Sequence, residues 1–173
     1  MLASRIIAVV LMRGHTVVRG RSYGDYNSRG ALWQAISLFE RRNVDELVLL
    51  NVTGEAPSVE HVKEFASALF CPITAGGGVR TLEHFRLLLK HGADKVAINT
   101  AAVETPELIS QAAEKFGRQA VVVSIDVKSG TVWTRAGTLD SRIGALQFAR
   151  AAEGLGAGEL LLNSIERDGT LSG

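Results

Sequence analysis

Two stretches of this chain repeat one another, and the repeat limits the fold more tightly than any figure of composition. Arg5-Ile-Ile-Ala-Val-Val-Leu11-Met-Arg-Gly-His-Thr-Val-Val18 reads like Ala120-Val-Val-Val-Ser-Ile-Asp126-Val-Lys-Ser-Gly-Thr-Val-Trp133. Further on, Asp45-Glu46-Leu-Val-Leu-Leu-Asn51 is echoed by Gly158-Glu159-Leu-Leu-Leu-Asn163. Leu11 to Asp126 is a step of 115 residues and Glu46 to Glu159 one of 113, so two successive strands recur in order at nearly one spacing. A period of that size, holding several strands and helices, fits a duplicated half-barrel and not a solenoid of short repeats. Within the repeat, Asp126 stands where the first copy has Leu11. A charge that closes an apolar strand falls at the carboxyl edge of a parallel sheet, where α/β proteins place their chemistry. Asp126 is therefore the leading catalytic candidate.

Short apolar runs at 5–11, 46–51, 72–75, 94–98, 120–126 and 159–163 alternate with longer segments of helical spacing, the pattern of a parallel α/β protein. Helix starts are marked by Ser58 before Val59-Glu60, by Thr81 before Leu82-Glu83, and by Thr105-Pro106-Glu107; Gly92 and Gly117 mark helix stops. Residues 12–29 are polar and rich in glycine, and are expected to form a long loop with a small hairpin through Thr16-Val17-Val18. An eight-fold barrel needs roughly 250 residues. The expectation is thus a single barrel domain over 1–173, covering about the first six strands and truncated before the last two βα units. Left open, such a sheet has unpaired edges.

Composition narrows the function. The chain is 46% hydrophobic and 21% charged, ordinary for a globular domain, and its formal net charge of +1, with basic residues scattered, gives no nucleic-acid footprint. A single cysteine, Cys71, excludes an internal disulfide and is expected to pack. With no signal-peptide pattern and no spanning run, the expected place is the cytoplasm, with no membrane partner. His61, His84 and His91 are expected on the surface or at helix ends, and His15 on the long loop within reach of a ligand. The histidines show no ligand spacing with Cys71, so neither a metal site nor a cofactor is expected.

Thr74-Ala75-Gly76-Gly77-Gly78-Val79 runs from strand into helix, where glycines let backbone amides approach a ligand and the helix start favours an anion. Gly77 and Gly78 are read as a phosphate site, and Asn99-Thr100 after the fourth strand as further side-chain and amide donors. Four charged residues, Arg5, Glu46, Lys95 and Glu159, open apolar strands. Their spacing fits either a ring of ion pairs across the amino-terminal mouth or four solvated strand ends.

Taken together, these residues resemble the cyclase subunit of imidazole glycerol phosphate synthase, a (β/α)8 barrel of histidine biosynthesis. The resemblance rests on Met1-Leu2-Ala3-Ser4-Arg5-Ile6-Ile7-Ala8, Asp45-Glu46-Leu47-Val48, Gly76-Gly77-Gly78, the run from Ala93 to Ala102, that from Gln119 to Asp126, and Gly156-Ala157-Gly158-Glu159 through Ser164-Ile165-Glu166-Arg167-Asp168-Gly169-Thr170. It implies a glutaminase partner whose ammonia crosses the barrel. There the ammonia joins a bis-phosphorylated aminoimidazole carboxamide ribonucleotide, giving imidazole glycerol phosphate. By the same resemblance Arg5, Glu46, Lys95 and Glu159 are the charged ammonia gate; Gly78, Asn99 and Thr100 hold one phosphate; Asp126 is one of two acid/base aspartates; Asp168 and Gly169 lie near the other phosphate.

The departures gather at the chemical end. Leu11 replaces the family's other catalytic aspartate, Arg19 stands where a substrate-contacting lysine is usual, and Asn51 and Asn163 replace an aspartate and a threonine. Leucine cannot carry a proton, and loss of one acid/base group costs about 10²–10⁴-fold in rate. Leu11 with Asn163 also resembles a paralogous branch that passes ammonia to a sugar for surface polysaccharide. A third reading is an inactive, partner-binding remnant.

Overall fold

The computed structural model describes residues 4–171, so Met1, Leu2 and Ala3 of the first strand motif lie outside the described residues. The elements in order are β1 (Ile7–Arg13), β2 (Thr16–Arg21), β3 (Gly24–Ala31), α1 (Leu32–Arg41), β4 (Glu46–Asn51), α2 (Val59–Ala68), β5 (Ile73–Gly76), α3 (Leu82–Lys90), β6 (Lys95–Ile98), α4 (Thr100–Glu104), α5 (Glu107–Phe116), β7 (Val121–Lys128), β8 (Thr131–Thr134), β9 (Leu139–Gly144), α6 (Ala145–Leu155) and β10 (Glu159–Ser164). The six expected apolar runs are β1, β4, β5, β6, β7 and β10. They pair in parallel in that order, with helices between them.

The sequence repeat is a repeat of structure. β2 and β3 form an antiparallel hairpin on the end of β1, and β8 and β9 form one on the end of β7. Met12 faces Val17 and Arg13 faces Thr16 in the first; Val127 faces Val132 and Lys128 faces Thr131 in the second. The next strands keep step as well. Ile7 pairs with Glu46 and Leu11 with Leu50, while Val122 pairs with Glu159 and Asp126 with Asn163. The small hairpin expected through Thr16-Val17-Val18 is present but larger, and what remained as loop is mostly strand: the hairpin takes up Thr16–Ala31 apart from Ser22 and Tyr23, and its polarity reflects solvated faces.

Alternate residues of each strand pack on the helices. Val10, Met12, Leu47, Leu49 and Ile73 meet Leu32 and Ile36 of α1 and Phe65 of α2. Ala75, Val96, Ile98, Val121, Val123 and Ile125 meet Phe85 and Leu88 of α3, Leu108 and Ile109 of α5, and Phe148 of α6. The opposite faces turn away from the helices and carry the polar positions. At the helix starts, Thr81 Oγ1 accepts from the His84 amide at 3.2 Å, while Ser58 Oγ donates to Glu60 Oε2 at 2.7 Å. Gly117 ends α5 at φ +88° and Gly92 follows α3 at φ +108°, a region where a side chain is strained.

His61 departs from its expected surface position. It is buried in α2, and its Nε2 lies 2.9 Å from Nδ1 of His15 at the β1–β2 turn, with the rings edge to face. This contact ties the first hairpin to α2. His61 Nδ1 is buried without a hydrogen-bond partner, and burial followed by the neighbouring His15 lowers the His61 pKa. The unfolded chain, with its ordinary value of 6.5, then takes up this proton before the folded one does. Stability contributed above that pH is lost on acidification. Thermal unfolding followed from pH 8 down to pH 5 is expected to show a falling midpoint, and His61→Phe to flatten that fall; a slope identical in the variant would contradict it.

Candidate active site

Parallel register sends the outward-turned residues of each strand toward one of two ends. At the amino ends, Glu46, Lys95 and Glu159 are the first residues of β4, β6 and β10, and Arg5 precedes β1. Glu46 is 1% exposed, a placement that is costly for a lone carboxylate. It is not alone. Lys95 Nζ donates to Glu46 Oε2 and to Glu159 Oε1, both at 2.7 Å; the Arg5 guanidinium reaches the same two oxygens at 3.3 and 3.1 Å; Thr74 Oγ1 donates to Glu46 Oε1 at 2.6 Å. Burial works against the Lys95 charge, but the hydrogen bonds to Glu159 and Glu46 outweigh it and raise the ammonium pKa. Burial likewise opposes ionisation of Glu159, and Lys95 and Arg5 reverse that effect, holding its carboxyl below the usual range. Of the two arrangements open to these four residues, the structure has the linked cluster.

At the carboxyl ends lies a cavity of about 1050 Å³. Gly77, Gly78, Asn99, Thr100, Arg19, Asp126 and Asp168 all line it, as do Leu11, Leu50 and Asn163. Gly169 is beside it, packed so closely on Gly20 that an added Cβ would come within 2.6 Å of the Gly20 carbonyl oxygen. Four arginines, Arg19, Arg29, Arg80 and Arg135, and two aspartates, Asp126 and Asp168, are among the residues that line it, so the lining favours an anionic occupant. Arg135 is partly compensated by Glu104 at 2.9 Å.

Asp126 is buried at the centre of a hydrogen-bond set. Tyr23 Oη donates to its Oδ1 at 2.7 Å, Asn163 Nδ2 at 2.9 Å and Ser124 Oγ at 3.3 Å. All three converge on Oδ1 and leave Oδ2 to other partners. Burial pushes the carboxyl pKa up, and the bonds from Asn163, Tyr23 and Ser124 only partly counter it. Burial also drives the Tyr23 phenol far above its ordinary value, with the Asp126 charge adding to the effect, so that Tyr23 keeps its proton. By strand pairing, one residue off the sequence echo with Asn51, the positions in β1 and β4 equivalent to Asp126 and Asn163 are Leu11 and Leu50, neither of them acidic.

The glycine turn is as tight as its sequence indicates. Gly77 (φ +92°) and Gly78 (φ +70°) lie in the left-handed region, and a Cβ on Gly77 would sit 2.1 Å from the Asn51 carbonyl oxygen. Two expected donors are otherwise employed. Asn99 Nδ2 donates to the Ser124 and Trp133 carbonyls at 3.1 and 3.3 Å, and Thr100 Oγ1 accepts from the Arg135 amide at 2.9 Å. Asn51 braces the loop after β4, donating to the Glu55 carbonyl and accepting from the Thr53 amide. Tyr23, Arg80 and Arg135 escaped the sequence reading because each sits in polar surroundings, with no apolar run to mark its direction.

The cluster at the amino ends gives a stability test. Lys95→Met leaves Glu46 buried with a half-exposed Arg5 as its remaining cation, and is expected to cost about 3 kcal/mol in urea unfolding. Adding Glu46→Leu removes the uncompensated charge and is expected to recover part of that loss. A double variant less stable than Lys95→Met alone would contradict the account.

The family described as "Histidine biosynthesis protein" matches residues 5–173. The chain is 45% identical to "Imidazole glycerol phosphate synthase subunit HisF" of Sulfurisphaera tokodaii over 100% of its own length and 73% of the relative's. The proteins of that name from Saccharolobus solfataricus and Dictyoglomus thermophilum are each 44% identical, again over the whole chain and 72% of the relative.

Proposed function

The chain belongs to the histidine biosynthesis protein family, and we propose that it serves as the cyclase subunit of an imidazole glycerol phosphate synthase. In this reading the chain is one (β/α)8 barrel domain that two further βα units complete, consistent with the edge of β10 and with that of β1 from Ile7 to Leu11, which no other described strand pairs. Ammonia released by a glutaminase enters at the Arg5–Glu46–Lys95–Glu159 cluster and emerges in the cavity at the other end. The bis-phosphorylated aminoimidazole carboxamide ribonucleotide lies across that cavity. Backbone amides of Gly77, Gly78 and Thr100 hold one phosphate, with Asn99 shaping that turn through its bonds to the Ser124 and Trp133 carbonyls; Arg19 and the Asp168–Gly169 loop lie by the other. No helix among the described residues is long and apolar enough to cross a membrane, and we place the reaction in the cytoplasm.

The observation that carries this reading is Asp126: one buried carboxyl with a raised pKa, aimed into an arginine-lined cavity at the carboxyl ends of a parallel sheet. Such a group is poised to exchange a proton during closure of a ring. A second reading has its own observation. Leu11 and Leu50 make the wall on the side of β1 and β4 apolar, which favours a less highly charged acceptor such as an activated sugar, with ammonia still the nitrogen donor.

Full-length protein supplied with ammonium separates the readings. The cyclase reading expects weak turnover of the aminoimidazole ribonucleotide, lost on Asp126→Asn with substrate binding kept. Because three donors already share Oδ1, the amide oxygen can accept all of them. Removing a buried charge is then expected to raise the unfolding midpoint by about 2–4 °C, roughly 1 kcal/mol. Ammonia-dependent modification of a sugar without cyclisation supports the second reading; glutaminase binding with neither reaction identifies a partner-binding protein.

A further inference from the structure

The cavity lacks a carboxyl at position 11, but the hairpin that follows β1 brings another polar group to Asp126. The hairpin growing from the end of β1 reaches across the cavity and places the Tyr23 hydroxyl 2.7 Å from Asp126 on β7. This contact is built at some conformational cost. Ser22, Tyr23 and Asp25 have φ of +49°, +63° and +49°, a region that side chains avoid. The tip is fastened from two directions: the Ser22 amide donates to the Asp168 carbonyl at 3.0 Å, and the Tyr23 ring lies against Gly137 between β8 and β9, where an added Cβ would come within 3.0 Å of it. A phenol put in a fixed place, in contact with the buried acid, on a strained and anchored turn, is a functional arrangement more than a packing one.

We propose that Tyr23 is the second acid/base group of this site, acting as the proton donor that Leu11 cannot be. The proposal rests on the ammonia-transfer reading and holds for either acceptor. The ammonia nitrogen forms a bond to an electrophilic carbon while the carbon–oxygen π bond opens. The oxygen takes the Tyr23 proton, and the nitrogen, now positive, gives a proton to Asp126 Oδ2. A turn of the Asp126 carboxyl brings that proton to the Tyr23 side, and its return to the phenolate oxygen restores the phenol and the carboxylate, so protons and charge balance without a further reactant. Burial suits both partners: the phenol retains its proton until the oxygen develops charge, and Asp126 is a stronger base than a solvated carboxylate.

The test uses the full-length protein with ammonium and whichever acceptor the wild type turns over. Tyr23→Phe is expected to lower kcat about 10²-fold or more with KM changed only a few-fold. Leu11→Asp in the Tyr23→Phe background is expected to restore most of the rate, and to give the kcat–pH profile an alkaline fall that the wild type lacks, because a carboxyl donor loses its proton well before this buried phenol does. Unfolding midpoints of both variants show that the chain still folds. An unchanged kcat in Tyr23→Phe overturns the proposal while leaving the ammonia-transfer reading intact. So does a loss that Leu11→Asp does not repair, since that marks Tyr23 as merely holding Asp126 in place. A wild type that uses no acceptor overturns the reading itself, and the proposal with it.

Discussion

A carboxylate buried to 1% exposure at the start of β4 fixes the rest of the structure. Glu46 is tolerable there only while Lys95, Arg5 and Thr74 surround it, and those residues belong to β6, the approach to β1, and β5. Slipping any of these strands by one residue would turn its member of the cluster to the helix side and leave the carboxylate unpaired. The cluster thus sets register at the amino ends. Because parallel strands keep step along their length, the same constraint decides which residues reach the cavity at the carboxyl ends.

Duplication explains why that constraint yields an asymmetric site. The two halves share their pairings: Ile7 with Glu46 and Val122 with Glu159 below, Leu11 with Leu50 and Asp126 with Asn163 above. The lower positions have kept a glutamate in each half, where charge is compensated by its neighbours. The upper positions have diverged into an apolar pair and a hydrogen-bonded polar pair. A common backbone therefore presents acid on one wall and aliphatic surface on the other, and any proton chemistry opposite Asp126 has to come from a loop.

Much of this was legible in the chain itself. Apolar runs located all six parallel strands and the charged residues that open four of them, and the internal repeat singled out Asp126, because buried strands have a strong and simple pattern. The hairpins were harder to read. Thr16–Ala31 is polar and glycine-rich since it has little to bury, so it looked like a loop, and Tyr23 looked like one of its ordinary members. His61 was misplaced for the opposite reason: a single polar residue at a helical position gives no sign that His15, 46 residues away, will meet it. Asn99 was placed in the cavity, but its side-chain donors turn to β7 and β8, a choice that depends on three-dimensional neighbours alone.

The first hairpin also shows how a strained turn can be held without a core beneath it. Its base is fastened at the His15–His61 contact and by the Leu32 amide donating to the His15 carbonyl at 2.9 Å. Its tip is fastened by Asp168 and by the second hairpin at Gly137. Each positive φ at a side-chain-bearing residue costs on the order of 1 kcal/mol or more. No single hydrogen bond offsets several such residues, at a net value of about 1 kcal/mol each. Anchoring at both ends does so collectively, and it links the hairpin's position to the loop after β10. Through the hydrogen bond from the Ser22 amide to the Asp168 carbonyl, the place of Tyr23 beside Asp126 depends in part on that loop.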